Sequence, residues 1–179
     1  MVTDVLNIVR ADINDAQLIS DLSNVTFIET YRGTCNDDDL VQFLDKNFSE
    51  EIIFKELQDE NEFYFIAFAD GFPAGYIRLK EDYASLPYMK KYKALELKRI
   101  YVLEEYQSKK VGAALMAQAL QLAAEKKYEV LWLGVWEGNE KARNFYNKFG
   151  FEDTELKATF NIGNTAQTDH WLIKFIEQR

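Results

Sequence analysis

The sequence is short of the residues that staple, ligate or break a chain. Its single cysteine, Cys35, excludes an intrachain disulfide and a cysteine metal cluster. Its single histidine, His170, leaves too few soft ligands for a zinc site, so no metal is expected. Cys35 follows no nucleophile motif and His170 lies near the chain end, so both are read as structural. Only two prolines, Pro73 and Pro87, interrupt the chain, and no Gly/Ser linker, repeat or low-complexity tract divides it. One domain over residues 1–179 is the expectation. Long apolar runs are missing too. The longest, Phe63 to Ala69, is far too short to cross a bilayer. The segment from Met1 to Leu6 has neither the basic n-region nor the apolar h-region of a secretion signal, so a cytoplasmic protein without membrane contact is expected. Positive charge is in deficit, with 21 Lys and Arg against 30 Asp and Glu, a net charge of −9 and a pI near 4.7. Nucleic-acid binding needs a basic footprint, and it is excluded as a role. Cationic partners are favoured weakly.

What is present is an ordinary globular composition, 47% apolar and 28% charged over 179 residues, long enough for a sizeable core. Asn7 to Arg10 reads as a strand. Asp12 or Asn14 then offers a cap to a helix through Leu18, Leu22 and Val25 towards Tyr31. Asn36 to Asp39 caps a second helix, and Ser49 to Glu51 opens a third. Phe63–Ala69 and Ala74–Leu79 are aromatic and β-branched, and Asp70-Gly71-Phe72-Pro73 between them supplies hairpin chemistry. Tyr83 to Lys93 reads as a surface loop. Then follow a strand from Leu95 to Leu103, a helix from about Val111 to Lys126, a strand from Val130 to Trp136 and a helix from Asn139 to Phe149. Strands near Thr154–Ile162 and Gln167–Phe175 close the chain. Interleaved helices and strands imply a mixed α/β sheet under helical layers.

Three segments carry chemistry. In Leu95–Leu103 the apolar positions switch parity, from Leu95 and Leu97 to Ile100 and Val102, which suggests a β-bulge near Lys98 and Arg99. A bulge frees backbone amides that an extended ligand could pair with; an ordinary buried strand is the equal alternative. Gln107 to Met116 is a polar loop entering a helix whose first turn, Gly112, Ala113 and Ala114, is bare. Free N–H groups and the helix dipole there suit a pyrophosphate, although most such junctions are plain helix starts. In the third segment Ala142, Phe145, Tyr146 and Phe149 share one helix face, and Gly150 ends the helix. Periodicity alone makes Tyr146 core and Asn139 an N-cap.

In this order and spacing the three segments resemble the GNAT acetyltransferase superfamily. Its cofactor loop reads Gln/Arg-x-x-Gly-x-Gly/Ala, and a later helix reads Asn-x-x-Ala-x-x-Phe-Tyr-x-x-x-Gly-Phe. Here the loop is Gln107-x-x-Lys110-x-Gly112, and the helix motif runs complete from Asn139 to Phe151. Leu-Glu-x-x-Arg-Ile-Tyr-Val, Trp-Leu-Gly-Val-Trp-Glu and Gln167-Thr168-Asp169 look like the PaiA-type bacterial polyamine branch. The resemblance implies a sheet of about six or seven strands, mostly antiparallel, with a bulged, splayed strand pair and flanking helices. Lys110 departs from the pattern, standing where the family places a glycine that curls the backbone around phosphate. It puts cofactor affinity in question, or compensates with a cation.

The resemblance also implies roles. Acetyl-CoA would be co-substrate, its pantetheine arm paired with the backbone of Ile100, Tyr101 and Val102. The N–H groups of Gln107, Ser108, Lys109, Lys110, Val111, Gly112 and Ala113 would hold its pyrophosphate. Asn139 and Tyr146 would flank the thioester, with Lys148 near the adenosine phosphates. Tyr146 would protonate the leaving thiolate and Glu96 would deprotonate the amine through a water; a solvent-facing carboxylate is nearly as good a reading of Glu96. An N–H near Tyr101 would face the oxyanion. Glu29 and Tyr31 would line an acceptor groove, while Asp37, Asp38 and Asp39 read better as solvated caps. A small amine such as spermidine or spermine is the leading acceptor. A protein or peptide amine, or a non-catalytic acyl-CoA-binding module, are the alternatives, and a homodimer is left open.

Overall fold

A computed structural model describes residues 5–84 and 86–177. Residues 1–4 of the segment read above for a secretion signal lie outside them, as does Ser85 of the expected loop. Seven strands form one sheet: β1 (Leu6–Arg10), β2 (Glu62–Ala69), β3 (Phe72–Lys80), β4 (Ala94–Val102), β5 (Val130–Trp136), β6 (Glu152–Ile162) and β7 (Thr165–Phe175). Their order is β1-β2-β3-β4-β5-β7-β6. Every neighbouring pair is antiparallel except β4 and β5. The helices are α1 (Ala16–Tyr31), α2 (Asp37–Phe48), α3 (Glu50–Leu57), α4 (Val111–Glu125) and α5 (Glu140–Lys148).

Local chemistry sets the boundaries. Asp12 caps the turn leading into α1, accepting from the Asn14 N–H while its own N–H donates to Asp15. Asp70 and Gly71 both have positive φ, 50° and 86°, as a two-residue type I′ hairpin requires. Gly150, at φ 77°, ends α5, and the Phe151 N–H returns to the Tyr146 carbonyl.

The sheet is covered on both faces. Leu115, Met116, Ala119 and Ala123 of α4 are fully buried and pack with Leu79, Leu95 and Leu131 on one face. On the other, Ile19 of α1 and Ile53 of α3 meet Tyr64, Ile66 and Tyr76. Each such side chain contributes about 1.5–3 kcal/mol. The segment read as a surface loop is partly core. A 3-10 turn, Pro87–Lys91, turns Met89 wholly inward against Trp132 and Trp171, with Leu86 beside it. One residue in three of such a turn faces inward, so its lysines concealed the anchor. β6 also starts earlier than expected, through an irregularity between Asp153 and Lys157 with Glu155 at φ 64°.

The feature that makes the site is in β4. Arg78 pairs with Arg99 and Leu79 with Leu97, so the register shifts by one residue at Lys98, which makes a bulge. β4 and β5 pair only where Ala94, Leu95 and Glu96 meet Val130, Leu131 and Trp132. Beyond that point β4 stays with β3 as far as Val102, and β5 stays with β7 as far as the Trp136–Asp169 pair. The two strands part. Gly75 keeps β3 tight against β4: a Cβ there would sit 2.4 Å from the Tyr101 carbonyl oxygen.

Candidate active site

The parted strands enclose a cleft of about 810 Å3, walled by the second half of β4, the end of β5, and α5. Ile100, Tyr101 and Val102 line it from β4; Gln107, Ser108, Lys110, Gly112 and Ala113 from the following loop and the start of α4; Asn139, Tyr146 and Lys148 from α5. Thus most of the residues singled out from the sequence converge on one space. Lys109 and Val111 do not line it: the Lys109 ammonium lies 5.0 Å from the Tyr106 ring centroid, and Val111 is buried in the core.

The loop is wound tightly. Ser108 and Lys110 are both left-handed, at φ 67° and 66°, and Lys110 is the N-cap of α4 without making a side-chain cap bond. A non-glycine residue in that region costs on the order of 1–2 kcal/mol, so Lys110 holds the conformation that glycine adopts freely. The first N–H groups of α4 are left to face the cleft mouth, where cations from Lys110, Lys141 and Lys148 also stand. Gln107 ties this mouth together, donating to the Val102 carbonyl at 3.1 Å and accepting from Lys141. Lys141 was not anticipated; its signal was only a cation in the variable part of the helix motif. Asn139 caps α5 by accepting from the Ala142 N–H at 3.0 Å.

Deeper in the cleft three phenols meet. Burial holds Tyr146 protonated far above the usual phenol range, with Tyr31 adding to the effect. Burial raises Tyr101 likewise, with Tyr31, Tyr76 and Tyr146 contributing. Tyr31 is raised by burial and by the nearby Asp169 carboxylate, and a hydrogen bond with Tyr101 offsets part of this. Tyr31 also stacks on Phe27 at 4.3 Å and leans on Trp136 at 5.5 Å and Phe160 at 6.1 Å. Tyr31 therefore joins the cleft wall to a packed aromatic cluster formed by α1, α2, β5 and β6.

Other expected residues are placed differently. Glu96 is 4% exposed, not solvent-facing, and its Oε2 lies 3.0 Å from the Lys98 ammonium. Burial raises its pKa and Lys98 counters. It lies behind the lining residues Leu97 and Lys98 rather than in the cleft wall itself. Glu29 lines the cleft but accepts from the Glu104 N–H at 3.1 Å, joining α1 to the turn after β4. Asp37 and Asp38 are exposed in the first turn of α2, and Asp39 accepts from the Asn164 N–H on the β6–β7 turn. Cys35 is free, and His170 bonds Asp153 at 2.9 Å.

The profile of the Acetyltransferase (GNAT) family matches residues 25–151, well over half of the chain. An uncharacterised N-acetyltransferase in the pepI 3′ region of Lactobacillus delbrueckii subsp. lactis is 32% identical over 169 residues, 94% of this chain and 96% of that protein.

The chain belongs to the GNAT acetyltransferase family.

As a GNAT protein it is an acetyl-CoA-dependent N-acetyltransferase. A spermidine N(1)-acetyltransferase from Thermoplasma acidophilum is 28% identical over 156 residues, covering 84% of this chain and 91% of that one. The PaiA N-acetyltransferase of the same organism, crystallised with coenzyme A, shares the fold with a TM-score of 0.78 at 22% identity. It is matched over 96% of this chain and 99% of its own. In GNAT terms the cleft has two regions of different character: one lined by lysines and the first turn of α4, and one lined by the phenols, of which Tyr31 and Tyr101 also touch the packed aromatic cluster. No helix among the described residues is long and apolar enough to cross a membrane.

Proposed function

We propose that this GNAT enzyme acetylates a small primary amine, best matched by a polyamine such as spermidine, by direct transfer in a ternary complex. The observation that carries the reading is the meeting of Tyr146, Tyr101 and Tyr31 in the cleft between the parted strands. A thioester arm laid along Ile100, Tyr101 and Val102 brings its carbonyl to that meeting point. The N–H groups around Gly112 and the Lys110 ammonium hold the pyrophosphate, and Lys148 stands near the adenosine phosphates. The likeness to the Thermoplasma spermidine acetyltransferase points to the same substrate class.

The chemistry needs two protons taken from the nitrogen and one given to the sulfur. An alkylammonium of pKa ~10.4 costs roughly 4–5 kcal/mol to deprotonate at pH 7. Glu96 is the proposed base; its place behind Leu97 and Lys98 means that it acts through a relay. The amine nitrogen attacks the thioester carbon, a backbone N–H near Tyr101 meets the oxyanion, the C–S bond breaks, and the nitrogen sheds its second proton to water, from which Tyr146 is later reprotonated. Tyr146 donates its proton to the departing sulfur. A thiolate whose thiol has pKa ~8.5 is a weaker base than the phenolate, so the transfer is concerted with C–S cleavage. The enzyme acts as one domain in the cytosol.

The test is release of free thiol from acetyl-CoA across polyamines, amino acids and peptides. Turnover of spermidine or spermine above the other acceptors is expected. Turnover confined to peptides would move the assignment to a protein amine. Tight coenzyme A binding with no thiol released from any acceptor would leave a binding module.

A further inference from the structure

One partly buried carboxylate near the phenols has no salt-bridge partner among the described residues. Asp169 lies on β7 opposite Trp136 of β5 and Ala158 of β6, neither of which carries a charge. Its Oδ1 is buried and has no hydrogen-bond partner among the described residues. Its Oδ2 lies 3.3 Å from where a Cβ on Gly134 would be, and that same Cβ would sit 2.8 Å from the Trp171 ring. Gly134 thus has no side chain where the carboxylate and the indole approach β5; Gly134, Trp136 and Tyr31 line the cleft, and Asp169 and Trp171 lie just behind them. The charged and titratable groups around Asp169 are Tyr31 on α1 and its neighbour His170 on β7. His170 is engaged by Asp153 at 2.9 Å, and no salt bridge among the described residues reaches Asp169.

A carboxylate taken out of water without a cation is a costly arrangement unless a ligand supplies the cation. The surrounding surface is aromatic, from Trp136, Tyr31 and Trp171, which suits an aliphatic chain bearing a positive end. On the reading of this protein as a small-amine acetyltransferase, we propose that Asp169 is the anchor that docks the acceptor's alkylammonium and selects charged aliphatic amines. It is a specificity determinant distinct from the base Glu96 and the acid Tyr146. Burial raises the Asp169 pKa to about 6, with His170 countering, so the anchor is charged above that pH and is lost below it.

The experiment compares wild type with Asp169→Asn in steady-state thiol release, using spermidine and a weakly basic amine that is uncharged at the assay pH. The Michaelis constant for spermidine should rise at least tenfold in D169N while kcat at saturating spermidine changes less than threefold. The uncharged amine should be treated alike by both proteins. In wild type the Michaelis constant for spermidine should climb as pH falls below about 6, and this limb should vanish in D169N. An unchanged Michaelis constant for spermidine in a folded D169N would overturn the anchor while leaving acetyl transfer intact. An equal loss for charged and uncharged amines would also overturn it, as a structural effect. A wild type inert towards every amine would instead defeat the functional reading itself. Asp169→Glu, keeping the charge, should recover part of the spermidine preference.

Discussion

The two halves of the sheet treat buried charge in opposite ways. Between β2, β3 and α3, Arg78 is bonded by Glu62 at 2.5 and 2.7 Å and by Glu56 at 2.8 Å, while Arg99 reaches Glu56 at 3.3 Å and Lys80 reaches Glu62 at 3.1 Å. Each charge has its opposite, and the group is closed on itself. Across the cleft, Asp169 is partly buried, its Oδ1 shielded and without a hydrogen-bond partner among the described residues. A closed network fixes strands, whereas an open charge waits for a partner from solution. On the proposed reading, the contrast separates the half that holds the cleft in shape from the half that reads the acceptor.

Substitutions can sharpen that division. The largest effect belongs to the closed network. Arg78→Ala strands Glu56 and Glu62 in the interior and should cost about 3–5 kcal/mol in denaturant unfolding. A loss below 1 kcal/mol would show the network to be ornamental. Next, Tyr146→Phe should lower kcat about 100-fold with an unchanged melting curve. Full turnover in a folded mutant would remove the phenol from the proton path. Lys110→Gly removes a cation but relaxes a left-handed residue. Acetyl-CoA affinity by calorimetry should fall about three- to tenfold at low salt, less at high salt, with stability kept. Unaltered affinity would show that the cation does not compensate for the missing glycine.

The smallest effect has an unusual sign. Asp169 is raised to about 6 in the folded protein, above the ~3.9 of an unfolded aspartate. The folded state therefore holds this proton more tightly, and wild-type stability falls as pH rises from about 4 to about 6. Asp169→Asn is free of that loss. It should be more stable than wild type above pH 6, by on the order of 1 kcal/mol after allowance for partial screening, and should match it below pH 4. Melting curves at pH 8 and pH 4 check this.

How much of this was legible beforehand depends on how local each signal is. The bulge could be read from parity alone, because Leu97 and Ile100 both had to face α4 across an intervening pair. The left-handed position at Lys110 was legible because the family keeps glycine there. The hairpin at Asp70-Gly71 and the end of α5 at Gly150 were equally local. What could not be read depends on contacts distant in sequence. Met89 is core only because Trp132 and Trp171 are brought over it. Asp169 is isolated only because β7 inserts between β5 and β6, setting Gly134 beside it. Glu96 looked like a cleft residue from its strand, yet the splay begins just after it.

Lys98 adds one residue to β4 without changing which way any apolar neighbour points. Leu95, Leu97, Ile100 and Val102 all face α4, and Tyr101 faces α1. Deleting it would leave that arrangement in phase and make the alternation more regular, while straightening the edge that lets two strands drift apart. One residue of chain length thus separates a regular strand from one that leaves its neighbour just after Glu96.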